Sequence, residues 1–300
     1  MITTLEHASI GFPLVCRGIT LFPLYVHQAD VRVTAGGDND LEISERPDAE
    51  VPSLRVRNRA AHPVLLVEGE TVLGGRQNRV INTTIVVPAA SEIDIPVTCV
   101  EQGRWHGQQG FDRHRRLAPR RVRRTKLTGV VEDVARGGGR RADQGAVWSA
   151  VHSEMASRMA HNDTGDMLAM EAEILRRDDR LRRDIDELVA MGPLPGQKGV
   201  VVSRGSRVLS VEVFGSAELL SANWEGLVRS AMLDADGRRH RPASASQALR
   251  FVRRLMRADG RTSPGLGIGY EHHIRTDRLV AQAVLLDDSL IHASAFALAA

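Results

Sequence analysis

Two short groups of polar residues in the first third of the chain carry side chains that acid–base or ligand-binding chemistry uses. The first group is Glu68-Gly69-Glu70 with Gly74-Gly75-Arg76-Gln77-Asn78-Arg79, and the second is Cys99-Val100-Glu101-Gln102-Gly103-Arg104-Trp105. Each group follows an apolar run. Carboxylates, amides and guanidiniums concentrated at strand ends are typical of a site for a polar, anionic small molecule.

The carboxylates Glu68, Glu70 and Glu101 are the candidates for catalytic acid–base work. Carboxylates that lie close together raise the pKa of one of them, and they can also hold a divalent metal ion that bridges phosphates. The structural alternative is that they pair with the arginines of the same two groups in an ion-pair network. The sequence alone leaves both interpretations open and does not identify a metal.

The amides and arginines are the candidates for ligand binding. Gln77 and Asn78 offer donors and acceptors that suit a ribose, an amide or a base edge, whereas Arg79 and Arg104 suit phosphate. Gly74-Gly75 would let the backbone approach a phosphate closely, although the Lys and hydroxyl of a Walker loop are absent. The structural alternative for this stretch is a turn that satisfies its own backbone groups.

Cys99 and Trp105 are further candidates, each with a common structural alternative. Cys99 lies near Glu101 and His106 in sequence, so it is a candidate nucleophile, whereas a small buried cysteine is the commoner case. Trp105 beside Arg104 is a candidate stacking surface for a nucleobase, whereas core packing is the commoner role.

Two strand-like runs, residues 81–87 and 93–97, must position the two polar groups. Residues 88–91, Pro-Ala-Ala-Ser, form a turn between them. If the runs pair as antiparallel neighbours, their distal ends meet on one side. That pairing would bring residues 77–79 close to residues 101–104.

The pattern of the whole chain predicts an α+β protein. Short alternating strands at the spacing of a sandwich or barrel make residues 1–112 a β-rich, sandwich-like region that bears the site. Dense arginines predict a basic flexible linker at residues 113–143. Residues 144–192 form a helical segment, and residues 193–300 predict a C-terminal α+β part that packs on the first region as one composite domain.

The helical segment has two clear apolar stripes. Val147, Val151 and Met155 recur at four-residue spacing and predict one helix. A second stripe continues without interruption through residues 167–188, with Asp163 or Thr164 as the N-cap. The sequence therefore predicts two helices in this segment.

The composition indicates a soluble globular protein. The chain has 300 residues, of which 42% are hydrophobic and 26% charged, and its formal net charge is +3. The two cysteines form no disulfide framework, and neither a secretory signal nor a membrane-length apolar run is present. We expect a cytoplasmic protein without membrane contact, and the oligomeric state is not indicated.

The two polar groups and their spacing resemble those of a known family. It is the ARG and rhodanese-phosphatase-superfamily-associated protein domain family, where ARG stands for ADP-ribosylglycohydrolase. The specific parts are the Glu-Gly-Glu motif at 68–70, Gly-Gly-x-Gln-Asn-Arg at 74–79 and Cys-Val-Glu-Gln-Gly-Arg-Trp at 99–105. The resemblance runs over residues 54–105 and resumes at 199–234 and in the C-terminal hairpin. It implies a role near the metabolism of NAD-derived nucleotides or ADP-ribose, and it supplies no catalytic mechanism.

Two functions from different classes follow. The leading hypothesis is a protein that binds or processes an NAD-derived nucleotide such as ADP-ribose. The alternative is a non-catalytic interaction module in which the basic stretch from Arg113 to Lys126 contacts a partner or the phosphates of a nucleic acid. That stretch has no interleaved aromatic residues, so a solvated loop is its structural alternative.

Overall fold

The structure is a computed structural model that describes residues 2–37, 39–46, 52–104, 106–107, 110–238 and 240–298. All structural statements refer to these residues. Their helices and strands confirm the predicted α+β class.

The strands and helices alternate in blocks along the chain. In chain order the strands are β1 (Ser9–Ile10), β2 (Leu14–Cys16), β3 (Ile19–Tyr25), β4 (Leu41–Glu45), β5 (Ser53–Asn58), β6 (Val64–Leu66), β7 (Glu70–Gly74), β8 (Arg79–Ile81), β9 (Ile85–Val87), β10 (Glu92–Cys99), β11 (Gly110–Leu117), β12 (Gly199–Arg204), β13 (Arg207–Phe214), β14 (Arg261–Pro264), β15 (Tyr270–Arg275), β16 (Leu279–Leu286) and β17 (Ser289–Ala297). The helices are α1 (Arg120–Ala135), α2 (Gln144–Ser157), α3 (Met167–Arg177), α4 (Asp179–Met191), α5 (Ala217–Met232) and α6 (Ala245–Arg257), after a short 3-10 turn at Thr3–Leu5.

The largest layer is an antiparallel sheet that joins the two ends of the chain. Its order is β1-β3-β12-β13-β17-β16-β15-β14, and β2 pairs with β3. Successive residues of β12 lie on opposite faces of the sheet. Val200 and Val202 pack in one core cluster, whereas Val201 packs in another, together with α6. The sheet is therefore covered on both faces, which explains the continuous apolar runs of its strands.

The site-bearing strands close into a barrel in the order β10-β5-β4-β11-β7-β8. The strand spacing predicted either a sandwich or a barrel, and the structure has the barrel. Closure of the barrel leaves no unpaired strand edge. Apolar side chains such as Val56, Val72 and Ile95 fill its core. The remaining strands, β6 and β9, pair with each other in a separate two-stranded sheet.

The prediction of a flexible linker at residues 113–143 is wrong. These residues complete β11 and form the whole of α1, which packs against α2, β15 and β16. The apolar residues on one side of α1 are buried: Val122, Leu127, Val130, Val131 and Val134. Several arginines of the stretch are buried opposite carboxylates from other elements, so their density does not indicate solvation.

The helical segment contains three helices instead of two. Asp178 ends α3 and caps α4, because its side chain accepts a hydrogen bond from the Leu181 amide. Asp166 caps α3, two or three residues beyond the predicted caps Asp163 and Thr164. Among the helices of the described ranges, none is long and apolar enough to cross a membrane.

Candidate functional site

The pairing of β8 with β10 brings the two polar groups together, as predicted. Arg79 lies opposite Cys99 and Ile81 lies opposite Val97 in an antiparallel register. Only the first residues of the predicted run 81–87 take part, because residues 85–87 form β9 and pair with β6. The loops that follow the paired ends therefore meet at one end of the barrel.

Glu101 is the centre of this meeting point. Its carboxylate accepts the Asn78 amide at 3.1 Å and both oxygens lie 2.9 Å from Nε of Arg104. Arg104 also donates to the carbonyls of Gly75 at 2.8 Å and Gly74 at 3.2 Å. The hydrogen bond to Glu101 raises the pKa of Arg104. This network locks the two loops together and leaves Glu101 only 4% exposed.

Asp166 joins the same cluster, although the sequence analysis did not select it. Its Oδ1 accepts from the Asn78 side chain at 3.2 Å and from the Leu168 amide at 2.9 Å. Burial raises the pKa of Asp166, the Leu168 amide opposes this, and nearby Glu101 adds to the increase. One feature of the sequence could have identified Asp166. It lies immediately before an apolar helical stripe, a position that is typical of an N-cap.

The glycine pair is explained by contact with β11 and not by a phosphate. Gly74 and Gly75 have φ of +132° and +52°, in the region that favours glycine. A Cβ on Gly74 would collide with the backbone of Gly110, and one on Gly75 would collide with the ring of Phe111. The close backbone approach that was predicted for a ligand is therefore already occupied by the protein itself.

Glu70 is sealed inside the barrel wall against Arg113. Arg113 donates Nε to Glu70 Oε1 at 2.6 Å and Nη2 to Oε2 at 3.1 Å, in a bidentate pair. The same guanidinium donates to the carbonyls of Ala35 and Leu65. Glu70 is 0% exposed, so no solvent reaches its carboxylate.

Glu68 is also sealed, between two cations of α1. Its two carboxylate oxygens lie 2.5 Å from Arg123 Nη2 and 2.5 Å from Lys126 Nζ. Burial alone would raise the pKa of Glu68, but Arg123 and Lys126 lower it to about 2. Gly69, at φ +82°, lies against the Arg123 side chain, where a Cβ would collide with it. Glu68 is therefore held as a carboxylate in the protein interior.

The buried network continues from Arg123 into the large sheet. Arg123 Nη1 lies 2.7 Å from Glu212 Oε1, and Glu212 Oε2 lies 3.0 Å from His292 Nε2. His292 Nδ1 lies 2.9 Å from the Thr84 hydroxyl, which also accepts the Glu68 amide. The hydroxyl, imidazole and carboxylate resemble a catalytic triad in order, but all three are buried.

The three predicted carboxylates thus do not share one open pocket. Glu70 lies at the start of β7, whereas Arg104, the partner of Glu101, contacts Gly74 at the end of β7. The two carboxylates are therefore separated by the length of this strand, roughly 13 Å. Each carboxylate already has a cationic partner. Within the described ranges, no three His, Cys, Asp or Glu side chains are grouped as metal ligands, so these residues do not fit a divalent metal site.

Arg79 differs from the other buried cations of the site. It is 3% exposed, and Nη1 donates to the Gln77 carbonyl at 2.7 Å and to Gln77 Oε1 at 3.4 Å. Its Nε has no hydrogen-bond partner, and no carboxylate of the described chain forms an ion pair with it. Burial lowers the pKa of Arg79. The charges of Glu45 and Glu101 oppose this decrease without contacting the guanidinium. A desolvated guanidinium without a hydrogen-bonded carboxylate is energetically unfavourable.

Two further predictions concern neighbouring residues. Cys99 lies opposite Arg79 at the barrel end and is 0% exposed. Burial raises the pKa of its thiol and Arg79 only partly opposes this, so the nucleophilic thiolate is disfavoured. Trp105, the candidate stacking surface, lies outside the described residues.

A comparison with protein-family models decides the family. The model of the ARPP-1 family, the ARG and Rhodanese-Phosphatase-superfamily-associated Protein domain, matches residues 7–296. The chain belongs to the ARPP-1 family. Comparisons with curated proteins and with solved structures gave no match.

The ARPP-1 match spans elements that the sequence resemblance did not cover, including α1 and the middle helices. Arg123 and Lys126 of α1 were assigned to a solvated stretch. Glu212 and His292 lie in segments that the resemblance does cover, but the sequence analysis did not select them. In this ARPP-1 chain, ionic contacts therefore link Glu68, α1 and the large sheet.

Proposed function

We propose that this protein binds an NAD-derived nucleotide such as ADP-ribose at the barrel end where β8 and β10 pair. The observation that carries the proposal is Arg79, a buried guanidinium with no carboxylate partner. Arg79 is only 3% exposed, so binding requires the loops that cover it to open; a ligand phosphate would then supply a counter-charge in contact with the guanidinium and accept from Nε, which has no acceptor in the free protein. The association recorded in the family description supports a nucleotide of this class.

Neighbouring side chains divide into ligand contacts and supports. Gln77 is the proposed ligand contact once the loops open, because it is fully buried in the free protein and its side-chain Nε2 makes only a long contact of 3.4 Å to the Gln102 carbonyl. Asn78, Glu101 and Arg104 are supports, because their polar atoms are engaged with one another and with the loop backbone. Arg104 keeps 22% of its side-chain surface exposed and marks the solvent side of the cluster.

Binding without turnover is the expected activity. Glu68 and Glu70 are neutralised by cations in the interior, and Glu101 is held by Arg104. A general acid or base needs access to a substrate proton, which these carboxylates lack. Asp166 is the carboxyl of the cluster with a raised pKa, so turnover, if found, would be assigned to it first.

Thermal unfolding with and without ligand tests this proposal. ADP-ribose at about 100 times its Kd should stabilise the protein by about 2.7 kcal/mol, a rise of roughly 5 °C in Tm. Arg79→Gln should abolish the rise, whereas Arg76→Gln, an exposed arginine of the same loop, should retain it. Adenosine, which has no phosphate, should give no rise.

Two results would contradict the proposal. One is the absence of any rise with ADP-ribose, NAD and ribose 5-phosphate. The other is an equal rise in Tm in wild type and Arg79→Gln, which would show that Arg79 does not contact the ligand phosphate. Chromatography of the ligand after incubation would detect turnover, and the loss of that turnover in Asp166→Asn would assign it.

A further inference from the structure

The solvent face of α6 carries four arginines that no acidic side chain neutralises. Phe251, Val252 and Leu255 of this helix pack on the large sheet. The opposite face exposes Arg250, Arg253, Arg254 and Arg257. Within the described ranges, none of these four has a hydrogen bond or ion pair through its side chain. This differs from the basic stretch of residues 113–126, where most cations are paired.

The four arginines line a groove made of two adjoining cavities. The cavities have volumes of about 480 Å³ and about 630 Å³, and they share Arg250, Arg254, Asp277 and Arg278. Arg207, at the start of β13, lines the second cavity. Asp277 is the carboxylate in the lining, and it is 82% exposed and 3.4 Å from Arg278. An exposed pair of this kind contributes little, so the groove keeps a large positive charge.

The positive charge is confined to the groove. A third cavity, lined by Arg124 of α1, meets the first at Thr276 and Asp277. Its lining also carries the carboxylates of Glu132 and Asp143, so it does not extend the positive surface.

We propose that this arginine groove binds the phosphate backbone of double-stranded nucleic acid without reading its sequence. Arg250 and Arg257 are seven residues apart, which is about 10 Å along the helix. A duplex presents about six phosphate charges over that length. The four guanidiniums therefore neutralise about two thirds of the phosphate charge over that length, and this binding is independent of the nucleotide proposed for the barrel end.

The lining favours a duplex over a single strand or a lipid surface. Unpaired bases need exposed aromatic side chains for stacking, and Phe251, the aromatic residue of the groove, is only 4% exposed. Insertion into a membrane surface needs large exposed apolar side chains beside the cations. Those of the described chain, such as Phe12 and Met159, lie outside the groove lining.

Fluorescence anisotropy with labelled 20-base-pair DNA of two unrelated sequences tests the proposal. We expect both to bind at 50 mM salt, with affinity that falls steeply by 200 mM. The triple variant Arg250→Gln/Arg254→Gln/Arg257→Gln should bind at least tenfold more weakly. Its slope of log affinity against log salt should be smaller by about 2.7, because each lost phosphate contact removes about 0.9.

A matched triple variant controls for net charge. Arg176→Gln/Arg180→Gln/Arg183→Gln removes three exposed arginines from α3 and α4 and should keep the wild-type slope. Equal loss in the two triples would overturn the proposal, as would the absence of duplex binding at 50 mM salt. Tighter binding to single-stranded DNA or to phosphatidylserine vesicles than to duplex would also overturn it. Thermal stabilisation by ADP-ribose should be unchanged in the α6 triple.

Discussion

At the residue scale, the polar groups serve mainly to neutralise one another. Glu68 and Glu70 have the identities and spacing of a catalytic pair, yet each is fully buried against a cation from another element. Desolvating two charges offsets much of their attraction, so such pairs specify which segments meet more than they stabilise the fold. Arg79 is the exception, and the nucleotide proposal depends on it.

Cys99 provides a direct test of the residue-scale interpretation. It is fully buried, whereas Cys16 is partly exposed. Burial raises the pKa of both thiols, so the difference in their reactivity depends on whether a reagent can reach the sulfur. Iodoacetamide at pH 8 should alkylate Cys16 in the folded protein and Cys99 only after denaturation, as measured by peptide mass spectrometry. Equal native rates would restore Cys99 as a candidate nucleophile.

The sequence predicted which residues gather at the barrel end, but not what they do there. Antiparallel pairing of two neighbouring runs is a local property, so the meeting of Asn78 with Glu101 could be anticipated. The partners of Glu68 and Glu70 lie 58 and 43 positions away. Pairings between such distant residues leave no periodic signal in the sequence. They nevertheless decide whether solvent reaches a carboxylate.

At the element scale, the apolar spacing predicted helices in residues 144–192, and the prediction failed at α1, where charges interrupt the spacing. In α1, by contrast, Arg123 and Lys126 occupy positions on the buried side. Because both residues are charged, the sequence predicted a solvated loop here. Their burial is favourable only because carboxylates from other elements pair with them.

Close packing of α5 on β11 gives an element-scale prediction. Gly226 is buried in α5, and a Cβ there would collide with the Arg115 carbonyl of β11. Although Ala favours a helix over Gly by about 1 kcal/mol, Gly226→Ala should therefore lower the free energy of unfolding, measured with urea. Gly145→Ala, at an exposed position of α2 with ordinary contacts, should raise it. Stabilisation by both would show that α5 can move away from the barrel.

At the scale of the whole molecule, one ionic network joins the barrel, α1 and the large sheet. Glu68 follows β6, Lys126 and Arg123 belong to α1, and Glu212 and His292 belong to the sheet. β3, near the start of the chain, pairs directly with β12 of the C-terminal part. The network explains why the middle of the chain cannot act as a loose connection between them.

The network should make folding sensitive to acid through Glu68. Its folded pKa of about 2 lies below the usual glutamate value of 4.5, so the unfolded chain binds more protons between these two pH values. Stability from Glu68, roughly 3 kcal/mol, is therefore present above about pH 4.5 and is lost as pH falls toward 2. Urea unfolding from pH 7 to pH 3 should show a smaller acid loss in Glu68→Gln, which is also weaker at pH 7 because Lys126 loses its partner. The exposed control Glu6→Gln should follow wild type, and an unchanged slope in Glu68→Gln would contradict the pairing.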